Sequence, residues 1–293
     1  MLGGGYIALE NAHAFGRLGS EVTILQRSGQ ILYREDEDVA EALTGYLREE
    51  DLTVYTNTDV QAARRVNGTI QIEVEIDGAR RTIAGTDVLV ATGLQANTDD
   101  LGLEDLGIGT SGRGFLEVDE TLQTAVPTVY GAGDVVGDPA FVYTAAREGQ
   151  LAAENVLVGT AYNRRASPLP WVVFTDPQVA GVGLGEREAR EEGGDVDVAT
   201  LPLDQVTRAL AARDTRGFIK LLRERGTDRL IGARIVAPEG GELLMELSVA
   251  IQQGLTVEDL TDLLHPYLTL GEGVKLAALA FDRDVSTLSC CAT

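Results

Sequence analysis

The sequence predicts an α/β fold, with a doubly wound parallel sheet at the start of the chain and an α+β region at its end. The opening stretch LGGGYIALE leads from glycines into a helix with apolar residues near helical spacing, and the β-branched run VTIL follows as a buried strand. After Trp171 the chain mixes short strands with helices. A glycine turn, helix and strand in this order form the second half of a βαβ unit.

The glycines match the fingerprint of a Rossmann-like dinucleotide-binding domain, with Gly3, Gly5 and Ala8 at its three positions. Gly3 is expected to make the tight turn, Gly5 to admit a pyrophosphate, and Ala8 to allow close packing of helix on strand. The unpaired N–H groups at the helix start would face the phosphates. The string alone also fits a coincidental turn, but the helix and strand that follow favour a nucleotide site.

The strand that should precede the glycines is reduced to Met1-Leu2. In a doubly wound sheet this strand is central, and its absence would leave two neighbours unpaired. We therefore expect the chain to start inside a domain, as a fragment or with another polypeptide completing it.

The remaining elements follow from hydrophobic periodicity and turn residues. The first domain continues with a helix near 37–50, a strand at 52–55, an antiparallel excursion (TIQIEVEI, RRTIAG) and a buried strand, DVLVATG, that closes the sheet. A turn-rich stretch then leads to a strand and glycine turn (VYGAGDVV) and a long helix. The α+β region has strands WVVF, GFIKLL and RLIGARIVA and helices ELLMELSVAIQQG and GEGVKLAALAF.

The net charge of the chain argues against two classes of binding partner. The chain carries 46 acidic and 24 basic residues, a net charge of −22, which would repel nucleic acid and anionic membranes. Only Lys220 and Lys275 are lysines, and acid-rich segments such as REDEDVAE fit either the surface of a salt-adapted protein or ordinary solvated helix faces. No apolar run reaches the length of a membrane span and no signal peptide precedes the first motif, so we expect a cytoplasmic protein.

The only two cysteines, Cys290 and Cys291, are adjacent and close to the end of the sequence. A disulfide between neighbours would constrain almost no chain entropy, and a zinc site would need more ligands than His13 and His265 offer. His13 is expected to be structural and His265 to lie in a loop. Taken alone, the tail favours an exposed terminus with reduced thiols.

Two arginines predict a preference for NADPH. An NAD-specific domain usually ends its second strand with an acid that binds the ribose 2′-hydroxyl, whereas here Arg27 ends that strand and Arg34 follows seven residues later. Two guanidiniums suit a 2′-phosphate. The alternative is two surface arginines in an arginine-rich chain.

The ordered motifs GGGYIALE, DVLVATG, VYGAGDV, VVFTDPQVAGVG and HPYLT resemble class I of the pyridine nucleotide–disulfide oxidoreductase family over essentially the whole chain. The resemblance implies an incomplete NAD(P) domain, the C-terminal part of an FAD domain, and an α+β dimerisation domain that makes a homodimer. The corresponding ranges are 1–93, 94–166 and 167–287, with a cysteine tail at 288–293.

The resemblance also assigns cofactor residues. It implies that Asp134 bonds the flavin ribityl chain, that Val142 lines the flavin, that Gly93 of DVLVATG contacts cofactor, and that Tyr6 stands on the nicotinamide side of the flavin. Without the family context these are a turn aspartate, a core valine, a glycine after a strand and a helix-start tyrosine.

Within the family, YIALE, FVYTAA, DTRGFIKL, PYLT and LSCCA are most similar to the members that reduce mercury(II). The resemblance implies that Cys290 and Cys291 collect Hg(II) as substrate and pass it to a redox dithiol of the partner subunit. Tyr267 occupies the place where other branches are expected to carry a histidine acid–base, with Glu272 at the spacing of its supporting glutamate. A phenol is a poor proton shuttle at neutral pH, but its oxygen can line a metal path.

Departures from the family pattern limit these expectations. Residues 94–97 read LQAN in place of Arg-x-Pro-Asn, and neither an N-terminal FAD fingerprint nor a C-x-x-x-x-C pair is in these 293 residues. We expect NADPH and FAD to drive Hg(II) reduction in a completed enzyme, and the chain by itself not to turn over. The alternatives are a disulfide reductase of the glutathione reductase or lipoamide dehydrogenase type, and a non-catalytic dimeric module that binds nucleotide and metal.

Overall fold

The structure, a computed structural model, describes residues 1–137, 139–159, 163–164 and 167–287. The chain divides into two compact units, one made of Met1–Thr92 with Pro168–Thr293 and the other of Gly93–Ser167. The α/β class predicted from the sequence is confirmed. Two stretches far apart in sequence therefore fold together as the larger unit.

The larger unit begins with alternating helices and strands. They are α1 (Tyr6–Arg17), β1 (Thr23–Leu25), α2 (Glu37–Glu49) and β2 (Thr53–Tyr55). Strands β1 and β2 are parallel neighbours, as a βαβ arrangement requires. Helix α1 buries Ala8, Leu9, Ala12 and His13 against the rest of the unit. The predicted helix-strand-helix-strand order is confirmed.

Leu2 lies between two neighbouring chain segments. It forms parallel bridges with Leu25 on one side and Val90 on the other, and its carbonyl accepts the N–H of Ala91 at 2.8 Å. This is the central place that the sequence predicts for it. The prediction of a buried strand at DVLVATG is wrong, because Val90 is 66% exposed and belongs to a single bridge. Among the described residues only Leu2 pairs with this segment, so no ladder extends along it.

A three-stranded antiparallel meander follows β2. Its strands are β3 (Thr58–Val66), β4 (Thr69–Ile76) and β5 (Ala79–Gly85), with β4 in the centre. Alternate residues of β4 (Ile72, Val74 and Ile76) are buried, as the pattern TIQIEVEI predicts. Strand β3 is not predicted from the sequence, because most of its residues are exposed and it has no apolar alternation.

The smaller unit is rich in turns and has one long helix, α3 (Val142–Val158). The strand predicted before the glycine turn is reduced to a single bridge between Gln123 and Tyr130, because no longer partner segment lies beside it in the described part of the chain. Buried Glu148 accepts the N–H of Gly133 at 2.8 Å and pairs with Arg164 at 2.8 Å. This carboxylate fixes the glycine turn to α3.

The larger unit resumes with a five-stranded antiparallel sheet, in the order β6-β7-β10-β9-β8. The elements are β6 (Trp171–Val173), β7 (Gln178–Gly183), α4 (Glu186–Glu191), β8 (Val196–Pro202), α5 (Thr207–Ala212), β9 (Phe218–Glu224), β10 (Leu230–Ala237), α6 (Leu244–Gln253), α7 (Val257–Asp262) and α8 (Glu272–Leu279). Residues such as Ile219, Ile235, Leu247 and Val274 form its apolar core. The predicted α+β region is confirmed. Across the described ranges, no helix has the length and apolar character needed to cross a membrane.

Two ionic clusters join the 1–92 stretch to this sheet. The histidine cluster comprises His13, Arg17, Glu50, Asp176 and Arg216. The lysine cluster comprises Asp36, Asp38, Glu186 and Lys220. In the histidine cluster, the N–H of Asp176 donates to Nδ1 of His13, so Nε2 carries the proton donated to Glu50 at 2.9 Å. His13 is thus a buried structural residue, as its apolar neighbours in the sequence predict.

Glu50 should make the free energy of unfolding depend on pH in the acidic range. Hydrogen bonds from Arg17, with a further one from His13, lower the pKa of Glu50 to about 2 despite its burial. A lowered pKa in the folded state stabilises the fold above the unfolded value of 4.5, and that stabilisation is lost as the pH falls towards about 2. Relative to Glu50→Gln, we expect an advantage of about 1–2 kcal/mol at neutral pH at this partly exposed site.

The measurement is denaturant unfolding of the wild type and Glu50→Gln at several pH values. The difference in unfolding free energy should shrink between about pH 4.5 and pH 2. Glu49→Gln, a change at the exposed neighbouring residue, serves as the control and should give no such pH-dependent difference. A constant difference for Glu50→Gln over this range would contradict the assignment.

Candidate functional site

The glycine turn before α1 has the geometry of a nucleotide-binding turn. Gly3 has φ +108°, and a Cβ there would overlap the carbonyl oxygen of Ala91, so this position admits only glycine. A Cβ on Gly5 would meet no atom within 4 Å, which leaves open space in front of the helix. Ala8 is fully buried. The start of α1 has no side-chain cap and no acid in its first turn, so the helix dipole there favours an anion.

The loop between β1 and α2 carries Arg27 and Arg34, and both are exposed. Arg34 donates from Nε to the hydroxyl of Tyr33 at 2.9 Å and lies over that ring. The loop is tied to the glycine turn, since the N–H of Leu32 donates to the carbonyl of Gly4 at 2.8 Å. An open helix start with basic side chains on the adjoining loop fits a phosphorylated dinucleotide.

Tyr6, at the start of α1, stacks on Trp171 of β6. Their ring centroids are 5.4 Å apart with an interplanar angle of 26°. Arg234 lies over the same indole, with its guanidinium carbon 5.4 Å from the ring centroid. The half-buried tyrosine therefore marks the place where the first helix meets the five-stranded sheet.

In the smaller unit, Asp134 and Val142 are open to solvent. Asp134 lies in a short 3-10 helix, Gly133–Val136, and its side chain is exposed. Val142, the first residue of α3, is 88% exposed, although valine is more often buried. Gly93 has φ +121° and thus needs to be glycine. An exposed carboxylate and an exposed aliphatic side chain fit a ligand with polar and flat apolar parts, as a flavin has.

Tyr267 lies in the loop that leads into α8, and Glu272 is the first residue of that helix. Tyr267 is 56% exposed, whereas Glu272 is only 5% exposed. The carboxylate of Glu272 accepts the N–H of Leu268, which has φ +65°, at 3.1 Å. It therefore fixes the backbone directly after Tyr267. His265 lies in the same loop, as predicted, and its Nε2 is 2.7 Å from the carboxylate of Glu246.

Cys290 and Cys291 lie outside the described residues. Within the described ranges, no three His, Cys, Asp or Glu side chains are grouped so that they could hold a metal ion. The predicted metal tail therefore stays a sequence-based prediction.

Sequence reasoning missed the acids at the start of α2. The prediction that REDEDVAE is a surface segment is wrong for Glu35 and Asp36, which are 7% and 5% exposed and pair with Arg234 and Lys220. The signal was Lys220 itself, a rare lysine within the apolar run GFIKLL. A charge in such a run needs a buried partner of opposite sign.

A glycine turn before a helix, a parallel strand pair and an antiparallel sheet with packed helices fit the class of pyridine nucleotide-linked oxidoreductases. Family comparison supports this class: residues 1–149 match pyridine nucleotide-disulphide oxidoreductases, and residues 169–278 match the dimerisation domain of that family. The chain belongs to the pyridine nucleotide-disulphide oxidoreductase family, as the motifs predict.

Curated relatives at the sequence level include mercuric reductases. The chain is 44% identical over 292 residues to that of Staphylococcus aureus, covering 100% of this chain and 53% of the relative. It is 43% identical over 292 residues to that of Streptomyces lividans, covering 100% and 61%. The chain thus spans about half the length of the curated relatives that it matches.

Solved structures from two bacteria are similar to this chain. The HOCl-induced flavoprotein disulfide reductase RclA from Escherichia coli has a TM-score of 0.84 at 30% identity, over 93% of this chain and 62% of that one. LpdA from Mycobacterium tuberculosis has a TM-score of 0.86 at 29% identity, over 94% and 60%. Both matched regions of this chain thus belong to one family, and the second is the dimerisation domain of that family.

Proposed function

We propose that this chain serves the reduction of Hg(II) to Hg(0) with NADPH as electron donor. The observation that carries the proposal is the pair Cys290-Cys291 in a chain that is 44% identical, over its whole length, to a protein named mercuric reductase. The reaction balances as NADPH and Hg²⁺ giving NADP⁺, a proton and Hg(0), with two electrons transferred. Bound FAD supplies the relay for those electrons between nicotinamide and thiols.

The coenzyme would lie across the start of α1. Gly3 and Gly5 leave room for the pyrophosphate beside the first N–H groups of the helix, and Ala8 keeps the helix close to the sheet. Arg27 and Arg34 would take the 2′-phosphate, because exposed guanidiniums pair well with phosphate oxygens. These contacts would favour NADPH over NADH.

The flavin would be held by exposed groups. Asp134 would accept hydrogen bonds from the ribityl hydroxyls, and Val142 would pack on the ring system. Gly93 has φ +121°, a backbone conformation that residues with a side chain rarely adopt. Tyr6 would stand on the nicotinamide side, where its stacking on Trp171 limits the positions of the ring.

Hg(II) would be captured by the thiolates of Cys290 and Cys291, since a soft cation prefers sulfur ligands. A redox dithiol outside these 293 residues would receive it in a homodimer. Tyr267 is exposed, and Glu272 holds its loop through Leu268, so the phenol oxygen is available as a further ligand on the transfer path.

The test is steady-state oxidation of NADPH by the protein purified at its native length and loaded with FAD. Hg(II), glutathione disulfide and lipoamide are compared as acceptors. We expect Hg(II) to be the preferred acceptor, and Tyr267→Phe to slow its reduction about tenfold, the effect of one contact of about 1.4 kcal/mol. Flavin reduction by NADPH should be unchanged in this variant, because the phenol takes no part in that step.

A disulfide reductase is the second candidate, because the solved structure of RclA is that of a protein named a flavoprotein disulfide reductase. Faster NADPH oxidation with either disulfide than with Hg(II) would favour it. No oxidation with any acceptor, despite bound flavin, would favour a non-catalytic module that binds nucleotide and metal.

A further inference from the structure

The backbone on both sides of Arg34 is fixed to other parts of the fold. On one side, the N–H of Leu32 donates to the carbonyl of Gly4 at 2.8 Å. On the other side, Glu35 accepts from Nε of Arg234 at 2.6 Å. The guanidinium of Arg187 also donates to the carbonyl of Tyr33 at 3.1 Å. Arg34 is exposed, but its main chain has little freedom to move.

Asp36 adds further attachments to the five-stranded sheet and to α4. Its carboxylate accepts the N–H groups of Glu186 and Arg187 at 3.0 and 2.9 Å. It also pairs with the amine of Lys220 at 2.8 Å. The segment that follows Arg34 is therefore held by residues that lie about 150 or more positions later in the chain.

These attachments are buried. Glu35 and Asp36 are 7% and 5% exposed, and their partners Arg234 and Lys220 are 4% and 1% exposed. Ion pairs shielded from water are screened little by salt, and separating them would leave uncompensated charges inside the protein. The loop conformation is therefore held by contacts within the protein, without a bound coenzyme.

We propose that Arg187, Lys220 and Arg234 are positioning residues for coenzyme selection, which they influence through the loop that carries Arg34. The inference rests on the proposed use of NADPH. A guanidinium on a fixed loop meets a 2′-phosphate without a further loss of loop entropy, whereas one on a free loop must be ordered on binding. The sheet region thus contributes to selectivity without touching the coenzyme.

The test compares binding of NADPH and NADH to the 293-residue chain by isothermal titration calorimetry. Glu35→Gln and Asp36→Asn each remove one charge from the attachments. We expect both to lower the ratio of NADPH to NADH affinity by about fivefold to tenfold, with NADH affinity nearly unchanged. Arg34→Ala provides the reference for complete loss of that contact.

Asp38→Asn is the matched control. Asp38 contacts the same amine of Lys220 at 2.8 Å, but it is 45% exposed and lies within α2. Its replacement removes the same charge and leaves Glu35 and Asp36 attached, so the affinity ratio should stay at the wild-type value. If Asp36→Asn does not fold, Arg187→Ala replaces it, because that side chain is 42% exposed and its loss frees the carbonyl of Tyr33.

The outcomes separate the inference from the function on which it rests. A wild-type chain that binds both coenzymes equally, or binds neither, would overturn the proposed NADPH site and the inference with it. A wild type that prefers NADPH, with Glu35→Gln, Asp36→Asn and Arg187→Ala keeping the same ratio, would overturn the inference alone. Reduced stability with an unchanged ratio would identify the attachments as structural only.

Discussion

Replacing Lys220 with Met should destabilise the protein by about 3–5 kcal/mol, the cost of leaving buried charges without their partner. The amine of Lys220 is 2.8 Å from carboxylate oxygens of both Asp36 and Asp38 and 3.3 Å from that of Glu186. Burial alone would lower the pKa of Lys220, but the hydrogen bonds to Asp36 and Asp38 outweigh burial and raise it. The lysine is therefore charged in the folded state, and Met removes the one cation shared by three acids.

The measurement is the free energy of unfolding from denaturant titration at neutral pH. Arg190→Ala is the matched control, because Arg190 pairs with the same Glu186 at 2.8 Å but is 59% exposed. An exposed pair spaced by four residues on a helix is worth about 0.5 kcal/mol or less. Equal losses in the two variants would show that the lysine cluster contributes no more than a surface ion pair.

Replacing both Cys290 and Cys291 with Ser should abolish tight binding of Hg(II). These are the only thiols in the chain, and oxygen and nitrogen ligands hold this soft cation far less tightly. Two adjacent thiolates need no preformed fold to capture the ion, so we expect about one mercury per wild-type chain and none in the double variant. Equilibrium dialysis against a weak thiol competitor, with mercury measured by elemental analysis, provides the count.

Two further variants sharpen this result. His265→Gln should keep the wild-type mercury content, because His265 is paired with Glu246 and takes no part in the tail. A single Cys290→Ser change should retain mercury with reduced affinity, since one thiolate remains. Tight retention of mercury by the double serine variant would refute the tail as the binding site.

Local sequence patterns predict those helices, strands and turns that depend on residues close together in the sequence. The run from Gly3 to Leu25 has its glycine turn, helix and strand in the predicted order. The structure adds why Gly3 is required, namely the carbonyl of Ala91 beside it. That contact joins residues nearly ninety positions apart, and a glycine pattern alone does not specify it.

The features that the sequence does not predict correctly involve contacts between segments that are far apart in the chain. DVLVATG has strand composition, yet a strand needs a neighbour along its length, and Leu2 supplies a single bridge. Glu35 and Arg234 are 199 residues apart, and the apolar run around Arg234 indicates burial but does not say which acid is its partner. Such pairs become visible only when both partners are placed in space.

Motif spacing in the sequence selects the candidate site residues, but it does not predict the contacts that they make. The roles of Tyr267 and Glu272 stay predictions; the structure adds that the carboxylate of Glu272 accepts the N–H of Leu268 and fixes the loop. Asp134 and Val142 are exposed, as ligand-binding residues would be, although valine composition alone suggests a core position. Whether an apolar residue is exposed depends on how the whole chain folds, and the residue type alone does not predict it.

The burial of both lysines gives this protein an unusual response to reagents that acylate amines. Lys220 is 1% exposed and Lys275 is 7% exposed, with its amine donating to the carbonyl of Leu263 at 3.0 Å. In the described part of the chain, the folded surface therefore exposes no lysine amine to such reagents. Acylation of Lys220 requires Asp36 and Asp38 to move away from it. The rate at which mass spectrometry detects that modification thus reports how often the first helices separate from the sheet, with no label introduced into the chain.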